Sequence, residues 1–415
     1  MNAEIITVGT ELLLFAHGNL NADYINEKLG KLGIKVLFRT RVGDELEHIE
    51  NAIRSAAARV DLVIITGGLS LSRNDLTRDA LARAVALSLK LDQKLLDRIK
   101  KKLESRGMAF PKGGERMAML PDGAEPLENK AGIVPGIFLK FKKVIIVCMP
   151  GALREIESII TSSFLARIKT YLKGVKFLRK IYKIYGLAEL EVESRARDLY
   201  DREACSFSTL SSLGQVELDL IIEGESQPQI EKIGKEIDSE IRKRLGVDIF
   251  GEDGDTLESV TGRILAERKM TLAVAESCTG GLLAEKITEI PGSSRYFKGG
   301  VVSYSDDAKE KFLGIPGKDI RDFGAISQEV ARSMAENVRE KAQSDLAISI
   351  TGIAGPEGGT IDKPVGLIFI GIADKNGIQV EQRTFLGDRQ IIRKLAVQTA
   401  LDLLRRRLLT IEPSK

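Results

Sequence analysis

Residues 1 to about 170 alternate between short, nearly continuous apolar runs and segments with helical spacing. AEIITVG, IKVLFR, DLVIIT and KVIIVCM are the apolar runs, and residues 22 to 32, 46 to 58 and a stretch from Leu76 carry the helical pattern. Continuous apolar runs suit strands buried on both faces, and strands alternating with helices predict a parallel sheet with right-handed crossovers. Ligands of such sheets sit beyond the carboxyl ends of the strands. That places the candidate pocket of this region around Gly9 to Glu11, Thr66 to Asp75 and Pro150-Gly151.

The pattern changes after residue 170. Strand candidates LRKIYKIYG and VELDLIIEG flank two helical stretches, the second ending at Gly246, which predicts a small α+β module over 171–250. Gly251 to Asp255 is acidic and glycine-containing and reads as a linker, with Asp255 or Thr256 capping the next helix. Beyond it, LESVTGRILAERK reads as a helix, LAVAES as a strand, a helix follows from Thr279, GVVSYS is a strand, a helix starts at Gln328, and DLAISI is a strand. GLIFIGIA and IQVEQRTF around Lys375-Asn376-Gly377 form a hairpin before a last helix from Asp388. The expected fold class is α/β in three parts: a parallel or mixed sheet domain over 1–170, an α+β module over 171–250 and a mixed-sheet domain over 255–412.

With 415 residues, division into several cores is expected. No apolar run approaches the length of a membrane helix and the amino terminus enters a strand directly, so a cytoplasmic chain without membrane partners is expected. Cys148, Cys205 and Cys278 have neither disulfide nor zinc spacing. A net charge of +3 implies no nucleic-acid partner. One stretch complicates this: Lys173, Lys176, Arg179, Lys180 and Lys183, interleaved with Phe177, Tyr182 and Tyr185, fits either a phosphate-tracking surface or an edge strand guarded by lysines.

Chemistry is constrained by histidine, because His17 and His48 are the only two and nothing beyond residue 48 supplies an imidazole. A hydrolase in the last domain must activate its nucleophile otherwise, and a lysine desolvated in a pocket can do so. Glu276-Ser277-Cys278-Thr279-Gly280-Gly281 lies between a strand and a helix, where a hydroxyl meets outward-pointing N–H groups suited to an oxyanion. The bland reading is a helix cap with close-packed glycines. The next strand ends Ser303-Tyr304-Ser305-Asp306-Asp307-Ala308-Lys309, bringing a phenol and an amine to the same rim; these otherwise read as a packed aromatic and a solvated lysine. Thr351-Gly352 opens a third glycine-rich strand end.

AESCTGG, PGSS at 291–294, FKGGVVSYSDDAK, FGAIS at 323–327, TGIAGPEGG with KPVG at 363–366, and GDRQIIR at 387–393 occur in order. With them the chain resembles the competence/damage-inducible CinA family, and its last part resembles the nicotinamide mononucleotide deamidases. The resemblance implies hydrolysis of a nucleotide carboxamide to the acid and ammonia, with Ser277 as nucleophile, Lys309 as base and Tyr304 as their companion. It implies substrate contacts from Glu276, Thr279, Gly280, Gly281, Thr351, Gly352 and either Arg389 or Arg393, no cofactor for this reaction, and a homodimer. Where the family usually has Asn, this chain has Asp306, whose charge is expected to raise the pKa of Lys309.

VGTELLL, TGGLSLSRNDLT and MLPDGAEPLEN resemble the molybdopterin-binding fold, where CinA relatives are associated with metal-dependent ADP-ribose hydrolysis. The implied pocket comprises Glu11, Thr66, Gly67, Gly68, Asn74 and Asp75, with a divalent metal as possible cofactor. The chain departs from the family's loop at Ser70 to Asp75 and has Asn19 near an expected acid, so weakened pyrophosphatase activity is expected. The middle module resembles a KH-like domain but lacks a GxxG loop. Two other outcomes remain open at this point: a nucleotide-binding regulatory or scaffold protein, and an ADP-ribose pyrophosphatase whose deamidase half is inactive.

Overall fold

The computed structural model describes residues 1–14, 19–172 and 176–411. His17 and Lys173 lie outside them. The chain divides into two compact units, Met1–Lys176 and Phe177–Lys415.

In the first unit a six-stranded sheet runs in the order Lys35–Val42, Asn2–Val8, Leu62–Thr66, Val144–Met149, Gly136–Phe141, Glu125–Leu127. The first four strands are parallel and the last two antiparallel, so the sheet is mixed. Side-chain alternation splits the core between its faces: Ile6 and Val8 with Val63 and Ile65 on one, Ala3 and Ile5 with Leu62 and Ile64 on the other.

The second unit holds two sheets. The smaller runs Cys205–Ser212, Gln215–Gly224, Lys176–Tyr185, Ile249–Glu252, with helices Glu189–Ala196 and Gln227–Leu245. Two corrections to the sequence reading arise here. The basic strand is interior, not an edge, and the supposed linker includes the end of strand Ile249–Glu252. Strand Cys205–Ser212 escaped the sequence reading because only its Phe207 and Leu210 interrupt a polar run, and its exposed outer face needs no apolar periodicity.

The larger sheet orders its strands Phe297–Val302, Leu272–Glu276, Leu346–Gly352, Leu367–Asp374, Gly377–Thr384. The first three are parallel and the last two close an antiparallel hairpin, as the sequence predicts. Leu272 and Val274 face helices Leu257–Glu267 and Arg389–Thr410, whereas Ala273 and Ala275 face helix Gln328–Ala342. The last helix also anchors the small module: Thr399 bonds Tyr185 at 2.7 Å, Arg405 donates to the Val247 carbonyl at 2.7 Å, and Arg406 pairs with Asp248 at 2.9 Å. Among the described residues no helix is long and apolar enough to cross a membrane.

Candidate active site

Strand Leu272–Glu276 is buried throughout and delivers Ser277 to its carboxyl end, where the Ser277 N–H donates to the Ile350 carbonyl at 2.9 Å. That bond continues the parallel ladder one residue past the strand and holds the Ser277 turn to the neighbouring strand. Gly280 and Gly281 then take φ of +59° and +95°, a left-handed conformation that side chains resist. An added Cβ would make only ordinary contacts, with Arg393 at 3.6 Å from Gly280 and with Val302 at 3.7 Å from Gly281, so backbone conformation rather than crowding requires them.

The neighbouring strand ends at Val302, and Ser305 caps the turn that follows, its Oγ accepting from the Ala308 N–H at 3.1 Å. Such a cap stabilises the turn by roughly 1 kcal/mol. It directs Lys309 inward: the side chain is only 2% exposed and its Nζ lies 3.2 Å from Ser277 Oγ and 3.0 Å from the Ser303 carbonyl oxygen. Burial pushes the Lys309 amine below its ordinary pKa, and the nearby Asp306 carboxylate partly opposes that shift. An amine drawn toward neutrality within reach of a hydroxyl is able to accept its proton.

Tyr304 does not stand between them. Its ring is 61% exposed and its hydroxyl accepts from Arg389 at 2.9 Å. Arg389 also donates to the Gly355 carbonyl at 2.8 Å, so it links the strand end carrying Tyr304 to the glycine-rich loop after Thr351. Arg393 lies one helical turn further along and donates to the Thr279 carbonyl in the turn after Ser277. The two arginines that sequence left equivalent thus have different partners.

The other candidates divide as clearly. The Glu276 carboxylate is 1% exposed and accepts from the N–H groups of Gly281, Leu283 and Ala284 at 3.0, 3.0 and 2.8 Å, so it binds the protein's own backbone. Thr351 donates to the Ala325 carbonyl at 3.0 Å. Gly352 is pressed against the backbone of Leu367 and Ile368, where a Cβ would clash. Thr279 is buried, and its hydroxyl is without a partner among the described residues. Cys278, adjacent to Ser277, packs into the apolar core, and burial pushes its thiol up to about 11. Sequence reasoning also missed Lys363, which ties two site loops together by donating to the carbonyls of Phe323 at 3.1 Å and Ile326 at 2.7 Å. Its position in KPVG carried no signal of that role.

In the first unit, Gly67 and Gly68 turn with φ of +96° and +65° after buried Thr66. The Asp75 carboxylate accepts from Ser70 Oγ and from the Ser72 N–H at 2.9 Å, closing its own loop. Asn19 caps helix Leu20–Gly30 and donates to Thr7 Oγ1 at 2.8 Å. Glu11 and Asn74 are exposed. Among the described residues no three of His, Cys, Asp and Glu converge as metal ligands, and this donor set does not fit a divalent cation.

Three basic residues of the strand in the small module are paired with acids. Arg179 binds Asp219 at 2.9 Å, Lys180 binds Asp238 at 2.6 Å and Glu252 at 3.1 Å, and Lys183 binds Glu217. Tyr182 and Tyr185 are buried, leaving neither ring free to stack on a base.

Comparison with known proteins matches residues 254–408 to the CinA C-terminal domain, 4–170 to the probable molybdopterin binding domain and 179–251 to the damage-inducible protein CinA KH domain. A chain from Moorella thermoacetica, named as a competence-damage inducible protein, is 41% identical over 411 residues, covering 98% of this chain and 99% of its own. The chain belongs to the CinA family. A CinA-like protein of Dictyoglomus turgidum is 36% identical over 412 residues, covering 99% of this chain and 100% of that relative. Among solved structures, the competence/damage inducible protein of Agrobacterium tumefaciens is 37% identical, covers 36% of this chain and 94% of its own, and superposes with a TM-score of 0.35. This CinA chain therefore carries all three family modules in the order its sequence implied.

Proposed function

We propose that the C-terminal module of this CinA chain hydrolyses the carboxamide of nicotinamide mononucleotide to nicotinic acid mononucleotide and ammonia. The observation that carries this reading is the buried Lys309 Nζ 3.2 Å from Ser277 Oγ. Neutral Lys309 accepts the hydroxyl proton as Ser277 Oγ bonds to the carboxamide carbon. The resulting ammonium returns that proton to the leaving nitrogen, the C–N bond breaks, and ammonia departs from an ester on Ser277. Water, deprotonated by the same amine, then attacks the ester; the C–Oγ bond breaks, Ser277 is reprotonated and the acid is released. The phenol of Tyr304 is not needed for either transfer and lines the approach with Arg389. The test is ammonia release from nicotinamide mononucleotide by the full chain; binding of the nucleotide without turnover would sink the reading.

Arg389, exposed at the helix start and beside Tyr304, is assigned to the 5′-phosphate. A charge-assisted bond of this kind contributes roughly 1.5–3 kcal/mol, so Arg389→Met is expected to raise KM by about 10- to 100-fold with a smaller change in kcat. Steady-state kinetics check this, and an unchanged KM would remove Arg389 from the phosphate site.

For the first unit, the proposal is weak or absent ADP-ribose hydrolysis. Divalent metal added to the full chain is expected to release little or no AMP from ADP-ribose, because Asp75 and Asn19 already bond within the protein. Chromatography of the reaction checks this; brisk metal-dependent AMP formation would contradict it.

A further inference from the structure

Glu276 precedes the nucleophile, yet neither its burial nor its partners suit a substrate contact. It lies on the same strand face as Leu272 and Val274, so the pleat drives it into the protein beneath helix Leu282–Thr288. An unpaired carboxylate there would be costly, and the three N–H groups of Gly281, Leu283 and Ala284 meet it instead. Arg393, from the last helix that packs on this same face, donates to the Thr279 carbonyl. An anion gathers the turn's N–H groups while a cation holds its carbonyl, so each charge matches the local peptide dipoles.

This arrangement decides which N–H groups remain for a substrate. Between 277 and 284, Ser277 donates to Ile350, Gly280 to Ser277 at 3.1 Å and Leu282 to Thr279 at 3.3 Å, while Gly281, Leu283 and Ala284 donate to Glu276. Among the described residues, only the N–H groups of Cys278 and Thr279 in that segment donate to no other residue. These two directly follow the nucleophile. The N–H groups of Gly280 and Gly281 are already engaged by Ser277 and Glu276 and are not the donors.

We propose that Glu276 and Arg393 are positioning residues that hold the nucleophile turn, one through its N–H groups and the other through its Thr279 carbonyl, and that the main-chain N–H groups of Cys278 and Thr279 are the oxyanion donors. This inference rests on Ser277 acting as the nucleophile. It adds two positioning side chains and two main-chain donors to the proposed reaction.

Glu276→Gln keeps the shape but turns an amide NH2 toward backbone donors, loosening the turn. Its kcat on nicotinamide mononucleotide is expected to fall by about 10- to 100-fold with KM within about threefold, since loss of an oxyanion donor acts on the transition state. The alkaline rise in rate, set by Lys309, should keep its position. The decisive readout is the rate ratio between nicotinamide mononucleotide and its thioamide analogue. Sulfur accepts hydrogen bonds poorly, so the ratio should be large for the unmodified protein and shrink severalfold in Glu276→Gln. Arg393→Met should reproduce that signature from the carbonyl side and serves if Glu276→Gln does not fold. An unchanged ratio in both variants, or a change in KM alone, overturns the inference while leaving the amidase reading intact. If the unmodified protein neither releases ammonia nor is labelled at Ser277 by a fluorophosphonate, the nucleophile reading fails and this inference falls with it.

Discussion

Ser277→Ala is expected to lower kcat for carboxamide hydrolysis by at least about 10³-fold, because without the hydroxyl no covalent intermediate can form and only binding and oxyanion stabilisation remain. Cys278→Ala, one residue away, is expected to retain activity within about threefold. The contrast follows from burial. Ser277 Oγ meets Lys309, whereas Cys278 belongs to the domain's buried apolar core and its thiol is held protonated near neutral pH by burial. Truncating Cys278 should instead cost some stability through lost packing. Ammonia release and thermal denaturation of both variants check this; loss of turnover in Cys278→Ala alone would make the protein a thiol enzyme.

Lys309→Met is the second large effect, with kcat near neutral pH expected to fall by about 10²- to 10⁴-fold through loss of the general base. Its stability should move the other way. Lys309 has a depressed pKa when folded, so between its folded and unfolded pKa the unfolded chain binds more protons and stability rises with pH. Below the folded pKa, the protonated amine imposes its full desolvation penalty on the native state. Methionine removes that penalty while filling similar space, so the variant should melt at a higher temperature than the parent at neutral pH. A lower melting temperature with lost activity would point to a structural role for the amine instead. The same electrostatics set the pH profile: activity should rise with pH as Lys309 deprotonates. Because the Asp306 carboxylate opposes the downward shift, Asp306→Asn should move that rise to lower pH. A profile that stays in place would mean that the titrating group is not Lys309.

Much of the C-terminal fold is legible because its strands are buried. Leu272 to Ala275, Leu346 to Ile350 and Leu367 to Ala373 are apolar and bounded by glycines or helical segments, which leaves few alternatives to a sheet covered on both faces. The small module is less legible. Cys205–Ser212 has one solvated face, and the basic run before Tyr185 finds its acids on Asp219, Asp238, Glu217 and Glu252, all at least 34 residues away in sequence. Charge counted along the chain therefore suggested an open basic surface where the fold pairs Arg179, Lys180 and Lys183 with distant acids.

Sequence alone determined the module order, the absence of an imidazole beyond residue 48, and the presence of a serine, a lysine and two arginines at strand or helix ends. Those follow from residue type and periodicity, which are local properties. Only the tertiary structure decided that Lys309 reaches Ser277 directly, that Tyr304 belongs with Arg389, and that Glu276 and Arg393 face the protein's own backbone. The physical reason is that hydrogen-bond partners and desolvation depend on which strand ends become neighbours. A buried carboxylate takes the N–H groups nearest to it in space, and nothing in the local sequence specifies which those will be.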